Sequence, residues 1–382
     1  MITYNSVTKV FGSARNPVTA LKDVTLEINE GDVVVLLGPS GCGKTTTLRL
    51  TNRLEKLTSG TITVEGQDIN AMNAVKLRQS MGYVIQEIGL FPNKTIGQNI
   101  AVVPKILNWD RQKIRNRIDE LLRMVNLDPD TFRDRYPPEL SGGQQQRIGV
   151  ARGLAADPDI LLMDEPFGAI DPINRERIQD EFMRLQAKLK KTVVFVSHDI
   201  HEAIKVGDKI ALFQGGQVVQ YDTPEILLTQ PVNKFVADFV GADRTLKVLG
   251  LKRVRDAVNS NPGNVINAET DAKEALQQIE DSGKPFGIVV KDDAPRGYVT
   301  PKLLKPETGN AGSLAEEFPV TLEMRSPLRD ALSYMLMHDI LVLCVVDDNG
   351  RFAGTISYQD IQDAILDIYS AEEPTGKGKG KE

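Results

Sequence analysis

Gly38-Pro39-Ser40-Gly41-Cys42-Gly43-Lys44-Thr45 constrains this chain more than any other stretch. It fits the pattern G-x-x-x-x-G-K-S/T, and it lies between an apolar run, Val33 to Leu37, and a helical run, Thr46 to Asn52. Glycines let such a loop curl so that successive N–H groups point at phosphate oxygens, and the helix that follows adds the positive end of its dipole. In that geometry Lys44 bridges the β- and γ-phosphates, the Thr45 hydroxyl binds Mg²⁺ and Thr46 meets the α-phosphate. A loop of this kind needs a parallel sheet behind it. Ile160 to Met163 and Thr192 to Val196 are continuous apolar runs of the type buried on both faces of such a sheet. Between and beyond them, Ile114, Ile118, Leu121, Leu122 and Val125 recur at helical spacing, as do Ile178, Phe182, Leu185 and Leu189. These stripes are read as packing faces. An α/β domain is therefore expected over residues 1–240.

The chain has 382 residues, more than one ordinary core accommodates, so two domains are expected. Its 46 Lys+Arg against 52 Asp+Glu give a net charge of -6, a balance that speaks against a nucleic-acid partner. No stretch approaches the ~18 apolar residues needed to cross a bilayer. Met1-Ile2-Thr3-Tyr4-Asn5 has neither the basic nor the apolar region of a secretory leader. Cys42 and Cys344 lie far apart, so no disulfide framework is expected and the cytosol is the natural compartment.

Four further runs carry chemistry. The strand Ile160 to Met163 ends in Asp164-Glu165, two adjacent carboxylates that strand alternation would send different ways. Asp164 suits Mg²⁺ held through its water shell, and Glu165 suits polarisation of an attacking water. Val196-Ser197-His198-Asp199 follows another buried strand. Leu140-Ser141-Gly142-Gly143-Gln144 is a second phosphate cradle on a chain whose first is already furnished with donors. Tyr83-Val84-Ile85-Gln86-Glu87 and Gly168-Ala169-Ile170-Asp171-Pro172 complete the set.

Together these motifs resemble the ATP-binding cassette (ABC) superfamily, and the match covers about 240 residues. The resemblance implies an ABC-type P-loop ATPase, with a RecA-like core and a helical subdomain at about 87–158. It implies ATP and Mg²⁺ as cofactors. It further implies that Glu165, His198 and Gln86 are catalytic, and that His198 contacts the γ-phosphate. Thr45, Gln86 and Asp164 would serve the metal. Nucleotide contacts fall to Phe11 (stacked on adenine), to Gly38 through Thr46, to Ser141, Gly142, Gly143 and Gln144, and to Asp171 at a dimer seam. The second cradle would cap the γ-phosphate held by another copy in a head-to-tail homodimer.

One phosphate loop and one Ser-Gly-Gly-Gln run set the chain apart from twin-cassette factors. The roughly hundred residues between them leave no room for the long coiled coil of DNA-repair relatives. Ile88-Gly89-Leu90-Phe91-Pro92 and Thr95 to Ile100 resemble importer ATPases, which receive a permease helix after this loop. Gly82 to Gln86 and Tyr136-Pro137-Pro138-Glu139-Leu140 are similar to the osmoprotectant group, importers of glycine betaine, carnitine or choline. That resemblance implies permease subunits, an indirectly coupled substrate-binding protein or domain, and a peripheral place on the cytoplasmic face of the membrane. A soluble ABC ATPase with a regulatory or assembly role and no permease is the alternative.

Residues 245–370 hold two weakly similar units, about 245–305 and 311–370, each an extended run, a helix, two strands and a helix. They resemble an α+β tandem CBS module. Thr300, Ser357 and Asp360 fit the positions at which such modules meet a ligand's ribose and phosphates, whereas Leu303 stands where the first unit would carry its acid. Sensing of a cyclic dinucleotide or of ionic strength is implied, and a packing and dimerisation module without ligand is the alternative. Residues 371–382, rich in Gly and Lys, are expected to form a flexible tail.

Overall fold

The computed structural model describes residues 1–13, 15–85, 89–168, 170, 172–305 and 308–370. The chain divides into two compact units, Met1–Val240 and Gly241–Glu382.

Among the described residues ten strands build the first unit: β1 Ile2–Phe11, β2 Val18–Ile28, β3 Val33–Leu37, β4 Ser59–Val64, β5 Gln67–Asp68, β6 Met81–Val84, β7 Ile160–Asp164, β8 Thr192–Val196, β9 Lys209–Gln214 and β10 Gln217–Asp222. Six of them form one sheet in the order β10-β9-β3-β8-β7-β6, in which β9, β3, β8, β7 and β6 run parallel and β10 closes one edge antiparallel. Strands β3, β7 and β8 are buried at every residue, as continuous apolar runs require. The sheet's order places the C-terminal ends of β3, β7 and β8 side by side, and the phosphate loop, Asp164-Glu165 and His198 all follow these ends. A crevice beyond the carboxyl ends of parallel strands is where open α/β sheets bind ligands.

A second sheet, β2-β1-β4-β5, is antiparallel. It is not anticipated from the sequence pattern. Register shifts between Tyr4 and Val7, Val7 and Lys9, and Lys9 and Val10 break the simple alternation of β1 against β2. Its inner residues Ile2, Tyr4, Leu26, Ile28 and Ile62 share one core with Val34, Leu36, Leu48 and Leu50. Each such side chain, fully buried, contributes about 1.5–3 kcal/mol.

Between β6 and β7 lie the helices Ile96–Ile100, Val102–Ile106, Arg111–Met124, Pro129–Phe132 and Gly142–Gly153. The last of these starts at Ser141 and ends against β6. A Cβ at Gly82 would meet the Gly153 carbonyl oxygen at 2.3 Å and Leu161 Cδ1 at 2.7 Å, so helix and strand touch backbone to backbone. Gly82→Ala is therefore expected to cost ~1–3 kcal/mol by overpacking, read as a lower thermal midpoint. An unchanged midpoint would mean that the helix is not seated on β6.

The second unit contains β11 Val265–Asn267, β12 Gly287–Lys291, β13 Ala294–Val299, β14 Thr321–Glu323, β15 Val342–Val346 and β16 Phe352–Ser357. They form two three-stranded sheets of one topology, β11-β12-β13 and β14-β15-β16, with the first pair parallel and the second antiparallel in each. Even the irregularities correspond, falling between Val289 and Val290 and between Val345 and Val346. The repeats also exchange segments. Asn259, ahead of the first sheet, bridges to Thr355 in the second, and Glu316, ahead of the second, bridges to Tyr298 in the first.

Candidate nucleotide site

The phosphate loop owes its shape to its glycines. Gly38 and Gly43 have φ of 143° and 108°. A Cβ on Gly38 would meet the Phe213 carbonyl oxygen at 2.4 Å, and one on Gly43 would meet Leu21 Cδ2 at 2.5 Å. No side chain fits at either place. A Cβ on Gly41 would face open space. The helix Lys44–Thr51 begins at Gly43 with no side-chain cap and no acid in its first turn, which leaves its N–H groups for an anion. Lys44 is 6% exposed, and its ammonium donates to the carbonyls of Gly38 at 2.6 Å and Pro39 at 3.0 Å. Cys42 is buried beside it. Burial pushes the Cys42 thiol up, with the Lys44 charge opposing.

Thr45 Oγ1 donates to Asp164 Oδ1 at 2.9 Å, which brings together two oxygens from residues 119 apart in sequence. Asp164 is buried, and burial raises its carboxyl above the usual range while the Thr45 bond works the other way. A hydroxyl and a carboxylate are hard oxygen donors of the kind Mg²⁺ takes. Among the described residues no group of three or more His, Cys, Asp or Glu is placed to hold a metal.

Glu165 departs from the expectation of simple strand alternation. Strand β7 ends at Asp164, and Glu165 turns into the left-handed region with φ 45°. For a non-glycine residue this is a strained conformation that surrounding bonds must hold. They do so here: Glu165 N–H donates to the Val196 carbonyl at 3.1 Å, and Gly168 N–H donates to the Glu165 carbonyl at 3.1 Å. His198 follows the adjacent β8, and its Nδ1 lies 3.4 Å from Glu165 Oε1. The acid pair thus splits between two neighbours, Asp164 toward Thr45 and Glu165 toward His198.

Ser141, Gly142, Gly143 and Gln144 form the start of a 12-residue helix, closed by a capping box in which Ser141 Oγ accepts from Gln144 N–H and Gln144 Oε1 accepts from Ser141 N–H. They line a cleft of about 560 Å³ with Phe132, Ile170, Arg147 and Arg177. The two arginines escape sequence reasoning because each reads as an ordinary polar position on a helix. The lining includes no residue of the phosphate loop and neither Asp164 nor Glu165. The Ser-Gly-Gly-Gln cleft is therefore separate from the phosphate loop on the same chain. Phe11 ends β1 with the Lys9 ammonium 4.4 Å over its ring. Gln86 and Asp171 lie outside the described residues.

In the second unit, Thr300, Ser357 and Asp360 line one cavity of about 730 Å³, together with Phe286, Tyr298 and Phe318. Ser357 Oγ donates to Asp360 Oδ2 at 2.6 Å.

Comparison with known proteins gives these sites their setting. A family model described as ABC transporter matches residues 21–168, and one described as CBS domain matches residues 311–367. The osmoprotectant import ATP-binding protein OsmV of Salmonella typhimurium is 47% identical over 97% of this chain and 97% of its own length. This chain belongs to the ABC transporter ATP-binding proteins. The glycine betaine/carnitine/choline transport ATP-binding protein OpuCA of Bacillus subtilis is 40% identical over 98% of each chain. Among solved structures, the dimeric ATP-binding cassette MJ0796 bound to ADP and Pi is 34% identical, with a TM-score of 0.53 over 59% of this chain and 99% of that one. The α/β cassette followed by a CBS module, expected from the motifs, is what the fold and these matches give.

Proposed function

We propose that the chain is the ATP-hydrolysing subunit of an importer for quaternary-amine osmoprotectants such as glycine betaine, carnitine or choline. The full-length relation to OsmV and OpuCA carries this reading. Among the described residues no helix is long and apolar enough to cross a membrane, so transport requires permease subunits on other chains. The place that follows is peripheral, on the cytoplasmic face, with a substrate-binding protein or domain coupled indirectly. A soluble ATPase without a permease is not favoured by relatives that are named import or transport proteins over nearly their whole length.

In this reading the loop from Gly38 to Thr46 binds the triphosphate and Phe11 stacks on the adenine. Mg²⁺, when bound, would neutralise charge building on the β- and γ-oxygens. Thr45, Asp164 and Gln86 would hold it. Glu165 accepts a hydrogen bond from the attacking water and so polarises it, and His198 sits beside it to meet the γ-phosphate. Ser141 to Gln144 cap the γ-phosphate on a second copy, with Asp171 at the seam. Rate enhancement comes from positioned charge and donors rather than from a covalent intermediate. The second unit would gate the cycle, with Thr300, Ser357 and Asp360 facing the ligand of a sensory cavity.

Uptake of labelled glycine betaine, carnitine and choline by cells carrying the transporter tests this directly. Lys44→Ala is expected to abolish accumulation, because the loop then lacks its only positive side chain. Accumulation that survives the substitution would remove the energising role. Transport of none of the three would remove the substrate class. Repeating the assay across salt concentrations and with a cyclic dinucleotide reads the gating.

A further inference from the structure

The turn that carries His198 is held from behind by buried polar groups. Gln179, on the helix Pro172–Leu189, is 5% exposed; Ser197 is 1% exposed and Glu202, in the first turn of the helix Ile200–Val206, is 7% exposed. Gln179 Nε2 donates to Glu202 Oε1 at 3.1 Å, and Ser197 Oγ donates to Glu202 Oε2. Ser197 Oγ in turn accepts from Asp199 N–H at 3.0 Å. Both carboxylate oxygens and the serine hydroxyl are thus engaged, on either side of His198 in the chain. One helical turn before Gln179, Arg175 Nη2 donates to the Ile170 carbonyl at 2.9 Å, and its Nη1 is 4.0 Å from Asp199 Oδ2. Farther along, Lys205 Nζ is 2.8 Å from Asp180 Oδ1.

Burying an amide, a hydroxyl and a carboxylate together is costly unless every partner is met. Apolar packing already seats the first of these helices, since beside this network Phe182 lies against Phe195 of β8. What hydrogen bonds add is a fixed distance and direction. The His198 side chain is 60% exposed, so its place is set chiefly by the backbone of the turn. Its Nδ1 nonetheless lies 3.4 Å from Glu165 Oε1. That backbone is what the network grips.

We propose that Gln179 and Glu202 are positioning residues for His198, tying the Ser197–Asp199 turn to the helix that begins directly after Asp171. The proposal rests on reading His198 as the γ-phosphate contact. Through Arg175 the same helix also holds the Ile170 carbonyl, one residue before the candidate seam residue. A shift at the seam would therefore reach His198 without passing through the nucleotide.

Gln179→Met in the full chain keeps the length of the side chain and removes the donor. It is expected to lower kcat about 10- to 30-fold while KM for ATP stays within about 2-fold, as loss of orientation should. Glu202→Gln keeps an acceptor for Ser197 and a hydrogen-bonding partner for Gln179, and it is expected to retain most of the rate. Should Gln179→Met fail to fold, Ser197→Ala cuts the same link from the other side and is expected to give the same split between kcat and KM. With 3 histidines in the chain, NMR of the labelled imidazoles adds a readout that a merely structural role would not move. The His198 signal should shift or broaden in Gln179→Met while that of His338, in the second unit, stays put. A wild-type kcat with an unmoved His198 signal overturns the proposal, as does a loss confined to KM. His198→Ala separates the two readings. Full activity there would sink the role of His198 itself, whereas loss there beside a wild-type Gln179→Met sinks only the positioning link.

Discussion

Glu165→Gln is expected to cut ATP turnover by about 10²- to 10⁴-fold, the usual worth of a general base, and to leave ATP binding intact. The main chain at Glu165 is fixed by bonds that do not involve its carboxylate: the Val196 carbonyl takes its N–H, and Gly168 N–H holds its carbonyl. Glutamine can therefore occupy the same left-handed position, φ 45°, without moving Asp164 or the phosphate loop. What disappears is the basic oxygen beside His198. Binding should persist because Lys44, Thr45 and Asp164, the groups proposed to hold phosphate and metal, are unchanged. Since the proposed nucleotide sandwich opens only after hydrolysis, the variant should accumulate as a closed dimer in ATP. Phosphate release, equilibrium ATP binding and size-exclusion chromatography in ATP read these three outcomes separately. Normal hydrolysis by Glu165→Gln would remove the assignment of Glu165, and lost binding would show that the carboxylate serves the ground state.

The parts of this site that were legible in the sequence are those written contiguously. The phosphate loop, the acid pair and the Ser-Gly-Gly-Gln run each compress a backbone shape into a few adjacent residues, and β3, β7 and β8 carry continuous apolar runs because they are buried on both faces. What stayed hidden was made by tertiary contact. Nothing local favours a glutamate at positive φ, and only the bonds from Val196 and Gly168 make it so. Gln179 and Glu202 belong to no motif in the sequence, yet both are buried against each other across 23 residues of sequence. The antiparallel sheet was masked by the bulges in β1, which break the period of two on which strand reading depends. In the second unit the repeat itself was visible. The exchange of segments through Asn259–Thr355 and Glu316–Tyr298 was not, since an isolated bridge leaves no periodic trace.

Lys44→Ala and Ser141→Arg should each silence hydrolysis as pure homodimers and should restore part of it when mixed. Removal of one positioned charge or donor set commonly costs about 10²- to 10³-fold in kcat. The two changes act on different cradles. Ser141 is exposed at the start of its helix and lines a cleft that includes no residue of the phosphate loop. In the proposed sandwich an arginine there would obstruct a partner's phosphate and cost the helix its cap, worth ~1 kcal/mol, but would leave the Lys44 site of its own chain untouched. In a two-fold dimer each site would draw its loop from one copy and its Ser-Gly-Gly-Gln from the other. A mixed dimer then has one site with both defects and one with neither. At equal amounts half the dimers are mixed, so independent sites would recover at most about a quarter of the wild-type rate. Phosphate release measured across mixing ratios, with a tag on one variant to verify mixed dimers, gives the answer. Recovery that peaks near equal amounts is the signature of a shared site. No recovery at any ratio, in mixtures where mixed dimers are present, would place both cradles in the service of one chain and end the trans reading.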